Sequence, residues 1–415
     1  MNTPYARFRQ FINHSSFATI VLLSPSLSSG DGFDDAFAEM DKQIEQDYQQ
    51  TAKSKKQQAS EFEQWKQQQA QEYADYKKAY FEALNNYKKG ILEHWDKAEV
   101  TDKKNWVDYS EDLQTKRVVD FEKNEIRISV LDPSLSNENI QKLVDANLEQ
   151  ILEETPNTAR KKDPVLKAVK KTAPSNDKQS RSAILSELTE QKTLKQQKAA
   201  LKKQAVISRP APKTKASPTA SKKVMPVVVT IKLPKDTVGR RAAKYQQLVK
   251  ENAKKNQLDP SLVYAIMHTE SAFNPMARSH IPAYGLMQIV PESAGRDVSM
   301  RLYGKDQIFS ADYLYNAGNN VQAGATYINI LYYSYLKGVK DPLSRLYCTI
   351  AAYNTGSGNV AKTFTGKRNL RKALPIINSL SPEQVYKTLH AKLPYHETRE
   401  YLKRVVSRQK LYANI

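Results

Sequence analysis

Hydrophobic and polar positions change their spacing several times along the chain, and each change predicts a different element. Residues 31–94 lack proline and place apolar and aromatic side chains at three- and four-residue steps, which predicts a helical extension. The second half of this stripe is rich in tyrosine. Its members are Tyr73, Tyr76, Tyr80, Leu84, Tyr87 and Ile91. Such a stripe could pack on a protein partner or on the next domain, or the helix could fold back, solvated, on its own chain.

The spacing then changes to strict alternation, which is typical of strands. Residues 117–121 and 126–130 each alternate apolar and polar side chains, and the turn-forming residues 122–125 separate them. This stretch therefore predicts a β-hairpin.

Two further segments complete a small domain around that hairpin. Asn137 to Leu152 returns to helical spacing, and Val227 to Leu233 is a β-branched run that favours a strand. The strand could pair with the hairpin despite the long segment between them. Residues 95–155 together with 225–238 therefore predict a small α+β domain.

The intervening residues 156–224 carry the weakest structural signal. They contain lysine-rich runs, a charged stretch at 184–204 that could be helical, and a linker-like segment rich in proline, alanine and lysine at 210–218. The composition predicts a basic, flexible insertion or linker that could contact an anionic membrane or cell wall. It lacks a glycine–aromatic RNA motif, zinc-ligand spacing and a helix-turn-helix signal, so no specific nucleic acid is expected as a partner.

From residue 239 to 415 the pattern is mostly helical, which predicts a compact all-α domain and an α+β class for the whole chain. One helix in this region carries the most distinctive side chain. Asp259 and Pro260 suit its N-cap and first turn, Ile266 lies on its apolar face, and Glu270 continues that face four residues later. Other helices are predicted at 320–336, 343–353, 381–389 and 395–406.

A carboxylate on an apolar helix face points to acid–base chemistry. Burial penalises the ionised form and raises the pKa of such a group, and a general acid that works near neutral pH needs a raised pKa. For an arbitrary helix, the more ordinary interpretation of Glu270 is an exposed carboxylate paired with a lysine. Neighbouring motifs have to decide between the two.

The composition restricts the classes of partner and cofactor that are expected. The chain has 415 residues, 40% of them hydrophobic, and a net charge of +20, and its mean hydropathy is −0.66. A strongly basic chain suits an anionic polymer or surface. The one cysteine, Cys348, excludes an internal disulfide, and the scattered histidines give no metal-ligand spacing, so neither a metal nor an organic cofactor is expected.

The first 30 residues have some features of an export signal. Arg7 and Arg9 make a basic start, residues 17–23 form a short apolar run, and small residues follow. The segment has no cysteine, so lipid attachment there is not expected. The predicted location is the periplasm, with a possible association with the outer membrane or cell wall.

Four short motifs in the helical region carry the chemistry. They are Glu270-Ser271, Gly285-Leu286-Met287-Gln288, Ala352-Tyr353-Asn354-Thr355-Gly356 and Glu397-Thr398-Arg399-Glu400-Tyr401. Each alone has an ordinary structural explanation as a cap, a turn or a charged surface. In this order and at these separations, they resemble the lytic transglycosylases of the soluble type, which have a goose-lysozyme-like catalytic domain.

The resemblance implies an activity. Enzymes of this family cleave the β-1,4 bond between N-acetylmuramic acid and N-acetylglucosamine in peptidoglycan without adding water, and leave a 1,6-anhydromuramoyl end. It implies that Glu270 acts first as general acid and then as general base. It also implies supporting or substrate-binding roles for the other motifs. These fall on Ser271, Gly285, Met287, Gln288, Tyr353, Asn354 and Tyr401.

The roles implied for individual residues differ. Ser271 would orient Glu270 or the substrate, Met287 and Gln288 would line the sugar cleft, and Tyr401 would hold the Glu270 side chain. For Thr398 and Arg399, the role could be limited to bracing their helix. Tyr284, beside the second motif, could stack on a sugar or be an ordinary core or surface aromatic residue.

Three other functions compete with this one. A hydrolytic lysozyme on the same fold would need a second carboxylate, and Asp297 is the nearest plausible supplier after the second motif. An inactive wall-binding scaffold could use the helical N-terminus to recruit partners. A nucleic-acid-binding protein would explain the charge but not the four motifs.

Overall fold

The computed structural model describes residues 32–169, 178–189, 193–210 and 224–414. The predicted signal segment, residues 1–30, lies outside the described residues. The chain divides into two compact units, Met1–Trp65 and Lys66–Ile415. The second unit holds the sheet, the helical region and all four motifs.

The helical extension is present as a single helix, α1, at Gly32–His94. Within the second unit, the tyrosine-rich part of its stripe is used as core. Tyr80 and Leu84 are buried and belong to the main hydrophobic core, while Ile91 belongs to a smaller cluster with Trp95. Packing on the following domain, one of the alternatives left open by the sequence, is therefore what this part of the helix does.

Five antiparallel strands form one sheet in the order β1-β2-β3-β5-β4. Their bounds are β1 Asn105–Tyr109, β2 Thr115–Asp120, β3 Glu125–Val130, β4 Ala205–Ser208 and β5 Val227–Lys232. The predicted hairpin is confirmed as β2 and β3. The predicted pairing of the later strand with the hairpin is also confirmed, since β5 lies against β3 with Ile128 opposite Val229.

One helix covers a face of this sheet. Helix α2, Asn137–Glu153, begins at Ser136, whose side chain accepts a hydrogen bond from the Asn139 backbone. Its apolar face meets the inward side chains of the central strands in a single cluster. This arrangement matches the predicted small α+β domain.

The described parts of residues 156–224 are more ordered than the predicted flexible insertion. They form α3 Pro156–Lys162, α4 Pro164–Ala168, α5 Lys178–Arg181, α6 Ser186–Thr189, α7 Leu194–Lys202 and strand β4. Leu185 and Leu201 are buried in the sheet-domain core, and Leu166 is buried in the main core. The high lysine content hid these few apolar anchors. Residues 211–223, which include most of the predicted linker, lie outside the described residues.

The helical region that follows contains eleven α-helices and one π-helical segment among the described residues. Their bounds are α8 Thr237–Ala243, α9 Gln246–Lys255, α10 Pro260–Ser271, α11 Ala294–Tyr303, α12 Ala311–Tyr315, α13 Ala317–Asn329, the π-helix Ile330–Tyr335, α14 Pro342–Thr355, α15 Ser357–Thr365, α16 Leu370–Asn378, α17 Pro382–Lys392 and α18 His396–Leu411. The four later helices predicted from the sequence are present, and the first of them is α13 continued by the π-helix. The predicted α+β class with a mostly helical C-terminal region is confirmed.

The sheet domain and the helical region share a buried contact centred on Arg241 of α8. Its guanidinium donates hydrogen bonds of 3.1 Å to the carbonyl oxygens of Phe121 and Ala272, and it lies 3.3 Å from the Glu187 carboxylate. Phe121 follows β2, Glu187 lies in α6, and Ala272 ends the Glu270 helix. A charge this deeply buried requires such partners, so the contact fixes the sheet against the end of that helix.

No helix in the described ranges is both long enough and apolar enough to span a bilayer.

Candidate active site

Helix α10 places Glu270 in the interior. Asp259 accepts a hydrogen bond of 2.8 Å from the Ser261 backbone at its start, and Pro260 occupies the first turn as predicted. The helix ends because Ala272 adopts a left-handed conformation with φ of 50°. Nearly every residue of α10 is buried, and Glu270 is 5% exposed. The alternative of an exposed carboxylate is thereby excluded.

Burial raises the pKa of the Glu270 carboxyl above its ordinary value. The positive charges of Lys103 and Lys104 and an interaction with the Tyr401 hydroxyl oppose that rise, whereas the negative charge of Glu397 adds to it. The balance leaves the pKa raised. A carboxyl group in this environment can donate a proton near neutral pH.

The second motif is a tight turn. Tyr284 and Ile289 exchange backbone hydrogen bonds of 3.2 and 3.3 Å, so the chain reverses over Gly285–Gln288. Gly285 has φ of +76°, and a Cβ there would lie 2.4 Å from the Leu314 carbonyl oxygen. Only glycine satisfies both conditions, which supplies the physical reason for its position in the motif.

Asn320 of α13 holds this turn, and the sequence analysis missed it. Its Oδ1 accepts a 2.7 Å hydrogen bond from the Met287 backbone, and its Nδ2 donates 2.8 Å hydrogen bonds to the carbonyl oxygens of Tyr284 and Leu314. The side chain is fully buried. The available signal was an asparagine on the same helix face as Gly324 and Ile328, because a polar group on a buried face requires partners.

The side chains of the second motif point in different directions. Met287 is fully buried, and a Cβ on Gly324 would lie 2.2 Å from its sulfur. The prediction that the Met287 side chain lines the cleft is therefore wrong, because it fills the space above that glycine in the core. Gln288 donates a 2.9 Å hydrogen bond to the Gly285 carbonyl, while its Oε1 has no hydrogen-bond partner among the described residues.

Tyr353 and Asn354 of the third motif end helix α14 and connect to the other motifs. The Tyr353 hydroxyl donates a 2.8 Å hydrogen bond to the Met287 carbonyl oxygen. Burial and the nearby charge of Glu270 raise the Tyr353 pKa well above its ordinary value. Asn354 Oδ1 accepts a 2.7 Å hydrogen bond from the Thr398 hydroxyl, so the third motif is bonded to the fourth.

Tyr401 of the fourth motif lies beside Glu270. It is 2% exposed, and its pKa is raised well above the ordinary value by burial and then by the charge of Glu270. Its hydroxyl has no other hydrogen-bond partner in the described part of the chain. Thr398 and Arg399 have bracing contacts, the first to Asn354 and the second a 2.6 Å hydrogen bond to the Leu393 carbonyl.

The structure decides the roles of two further residues, since Ser271 does not contact Glu270 as predicted and Tyr284 takes the core role that was one of its alternatives. The Ser271 hydroxyl donates to the Met267 carbonyl at 3.1 Å and accepts from the Phe273 backbone at 3.1 Å, so it serves the end of its own helix. Tyr284 is fully buried, with its hydroxyl 3.3 Å from that of Tyr76 in α1. It is a core residue and offers no face to a sugar.

The sheet domain also reaches the site, which the sequence did not reveal. Lys103 and Lys104 lie in the loop before β1, and both charges act on Glu270. Lys104 donates a 2.8 Å hydrogen bond to the carbonyl oxygen of His268 and lies 3.0 Å from the Glu122 carboxylate. Neither lysine belongs to a pattern that sequence alone could connect with a residue so distant in the chain.

Asp297, the predicted source of a second carboxylate, lies in α11 and contacts a different part of the structure. Its Oδ2 accepts a 3.0 Å hydrogen bond from Tyr335 in the π-helix. Its charge acts on Tyr327, whose ring packs on Tyr353 with centroids 5.5 Å apart. Asp297 is thus connected to the surroundings of Glu270 only through Tyr327 and Tyr353, and it is not among the charges named above as acting on Glu270.

No group of three or more His, Cys, Asp or Glu residues arranged to bind a metal occurs within the described ranges.

Comparison with known proteins gives a consistent result. Residues 247–375 match the family model described as the transglycosylase SLT domain. Over 184 residues the chain is 45% identical to membrane-bound lytic murein transglycosylase C of Pectobacterium atrosepticum and 44% identical to the protein of that name from Klebsiella pneumoniae. These alignments cover 44% of this chain and 51% and 50% of the relatives. The chain therefore spans about half the length of the curated relatives it matches.

Among solved structures, one similar chain is an inactive mutant of the lytic transglycosylase Slt from Pseudomonas aeruginosa. It is 28% identical, with a TM-score of 0.33, over 43% of this chain and 26% of that chain. The similarity to the transglycosylase SLT domain extends over residues 247–375, which include Glu270 and the second and third motifs.

Proposed function

We propose that this protein is a lytic transglycosylase that cleaves the glycan strands of peptidoglycan. The observation that carries the proposal is the environment of Glu270, a single buried carboxylate with a raised pKa at the meeting point of three other motifs. The matched relatives are named lytic murein transglycosylases, and the four motifs lie together around one site.

The proposed reaction uses Glu270 twice. In the first step its protonated carboxyl donates to the glycosidic oxygen as the C1–O bond of the muramoyl residue breaks. In the second step the resulting carboxylate accepts the proton of the muramoyl O6 hydroxyl, while O6 forms a bond to C1. The proton count balances, water is not consumed, and the products are a free 4-hydroxyl and a 1,6-anhydromuramoyl end.

The surroundings of Glu397, a carboxylate whose charge acts on Glu270, fit this route better than hydrolysis. Retaining glycosidases place two carboxyl groups about 5 Å apart. Among the charges that act on Glu270, the carboxylate is Glu397, which is exposed and faces Lys103 at 3.4 Å. An O6 hydroxyl already attached to the reacting sugar has a high effective concentration and replaces the external nucleophile.

Several polar groups around Glu270 are available to hold the sugar. Gln288 Oε1 is buried and has no hydrogen-bond partner in the described structure. Asn354 is held by Thr398, which leaves its amide nitrogen available. We assign Gln288, Asn354 and Tyr353 to substrate contacts, and Tyr401 to the orientation of Glu270. Gly285 and the Met287 backbone shape the turn that supports them.

We also propose where the protein acts and which role each part of the chain has. The relatives are named membrane-bound, so this protein would act in the periplasm at the outer membrane or wall. Residues 95–155 and 225–238 would form the supporting domain and residues 239–415 the catalytic domain. Helix α1 would recruit a protein partner through exposed aromatic residues, of which Tyr48 is 68% exposed.

Wall or membrane contact through residues 156–224 can be tested without deleting them. Deletion would remove buried residues of this segment, Arg160 and Leu185 among them. Lys161 and Lys167 are exposed instead. Replacing both with Glu should weaken binding to purified sacculi or anionic vesicles at low salt, and the effect should vanish at high salt. Equal binding by the variant would contradict this contact.

The activity itself is tested by digesting purified sacculi and weighing the soluble muropeptides. Wild-type protein should release fragments one water lighter than hydrolysed muropeptides. Glu270→Gln, which keeps the shape of the side chain but cannot donate or accept the proton, should release none. Full-mass reducing fragments would indicate a lysozyme, and no release by the wild type would favour a binding scaffold.

A further inference from the structure

The loop before β1 is fixed against the catalytic region by several hydrogen bonds. The Arg278 backbone donates to the Asp102 carbonyl at 3.4 Å, and the Asn274 amide lies 3.5 Å from the carbonyl oxygens of Asp102 and Lys103. Within the loop, Asp102 Oδ1 accepts hydrogen bonds of 2.7 and 2.8 Å from the backbone nitrogens of Lys104 and Asn105. The loop is therefore held on both sides.

Two adjacent lysines of this loop have different surroundings. Lys104 contacts the protein interior through the His268 carbonyl and Glu122, and burial lowers its pKa to about 8. Lys103 has its Nζ 3.4 Å from Glu397 Oε1, and its side chain is about one-third exposed. Lys103 therefore contacts both the segment that follows the Glu270 helix, through its carbonyl oxygen and Asn274, and the start of α18, the helix that carries Tyr401.

We propose that Lys103 is a positioning residue for Glu270, and that the sheet domain thereby forms part of the catalytic machinery. Paired with Glu397 across the domain boundary, it places a cation where the ionised form of Glu270 is needed. This inference rests on the proposed function for its catalytic meaning, because the ionised carboxylate is the base of the second step.

The sign of the effect follows from the groups that face Glu270. Lys103 and Lys104 come from the loop, Tyr401 and Glu397 from α18, and Tyr353 from α14. The cations and the Tyr401 hydroxyl favour the carboxylate, while Glu397 favours the protonated acid. Burial alone would keep Glu270 protonated and would make it a poor acceptor after it has given up its proton. A nearby cation stabilises the ionised form of Glu270 and so opposes the effect of burial on its pKa, and no second carboxylate is needed.

The test measures the Glu270 titration directly in the full-length protein. Glutamate side chains are labelled with carbon-13 at the carboxyl group, and the Glu270 signal is assigned by its loss in Glu270→Gln. Lys103→Met should move the titration midpoint to higher pH, and Glu397→Gln should move it to lower pH. Lys103→Arg, which keeps the charge, should restore the wild-type midpoint. The alkaline limb of the pH profile of sacculus release should move in the same directions.

A merely structural role for the pair predicts a different pattern. In that case Lys103→Met and Glu397→Gln would break the same contact and have the same effect. Such a result, or an unchanged midpoint in Lys103→Met, would overturn the proposal. Lys123→Met serves as the matched control, because Lys123 is an exposed lysine of the same sheet domain.

The titration also separates this inference from the proposed function. If the wild type released no anhydro product, the proposed function would fail, yet the midpoint shifts could still be measured. If the wild type released anhydro product while the midpoint of the Glu270 titration was the same in Lys103→Met, only the positioning role would fail.

Discussion

The hydroxyl of Tyr353 donates a 2.8 Å hydrogen bond to the carbonyl oxygen of Met287. The amide nitrogen of Met287 donates in turn to Asn320 at 2.7 Å. One peptide segment of the second motif is thus held from the third motif on one side and from helix α13 on the other. The turn that carries Gln288 is therefore positioned by helices that lie far apart in the sequence, and its geometry should be sensitive to small changes in either.

Gly285→Ala should destabilise the protein. The substitution adds a Cβ in a left-handed conformation and places it 2.4 Å from the Leu314 carbonyl oxygen. We expect a loss of about 3 kcal/mol or more in the free energy of unfolding, measured by urea denaturation. Gly304→Ala is the matched control, because Gly304 has φ of +64° but open space around it, and it should cost about 1 kcal/mol. Equal losses would mean that the close approach at Gly285 is unimportant.

Asn320→Ala should also destabilise the protein and should reduce activity further than stability alone explains. It removes three hydrogen bonds and leaves the Met287 N–H buried without an acceptor. The expected loss is about 3 kcal/mol in urea denaturation. Asn319→Ala, one residue earlier and with a single 3.4 Å side-chain hydrogen bond, should cost much less. A stable Asn320→Ala protein with full activity would contradict the role assigned to this residue.

Tyr401→Phe should reduce kcat about tenfold with little change in stability. The substitution keeps the buried ring and removes only the hydroxyl that acts on Glu270. Since that hydroxyl lowers the pKa of Glu270, its loss should also move the alkaline limb of the pH profile to higher pH. Tyr395→Phe, at a 54% exposed tyrosine in front of the same helix, is the control and should leave both quantities unchanged.

Stability should fall in mild acid because of His268. Burial, aided by the positive charge of Arg408, lowers the His268 pKa from 6.5 to about 3. Below pH 6.5 His268 therefore binds a proton in the unfolded chain but not in the folded protein. The free energy of unfolding falls as the pH drops toward 3. The contribution is about 2 kcal/mol between pH 6.5 and 5.

Urea denaturation at several pH values checks this expectation. His268→Gln should flatten the decline over this range, whereas the same change at the exposed His396 should not. A decline equally steep in His268→Gln would show that other groups cause it.

The sequence predicted those parts of the fold whose spacing is local and regular. The hairpin of β2 and β3 and helix α10 have clear periodicity and clear caps, so they were found. Strands β1 and β4 were missed because they are only five and four residues long and lie at the two edges of the sheet. A charged helix was considered over 184–204, but the burial of Leu185 and Leu201 in the sheet-domain core was not predicted, because few apolar anchors stand among many lysines.

The residues of the candidate site also differ in whether a local sequence pattern reveals them. The motifs gave Glu270, Tyr353 and Tyr401, since their residue types and order are distinctive. They could not give Lys103 or Asn320, because those residues act through contacts between elements that are remote in the chain. The structure also corrected the expected roles of Met287 and Ser271 and decided between the alternatives for Tyr284, since sequence shows which side chain occurs in a motif but not which way it points.

The most direct test of the central claim is to digest sacculi in water enriched in oxygen-18. The account predicts that wild-type protein releases muropeptides whose muramoyl ends are 1,6-anhydro and carry no heavy oxygen, and that Asp297→Asn does the same. Glu270→Gln should release nothing. Reducing ends that carry one heavy oxygen, especially if they disappear in Asp297→Asn, would contradict the account, because they would show that water is the nucleophile.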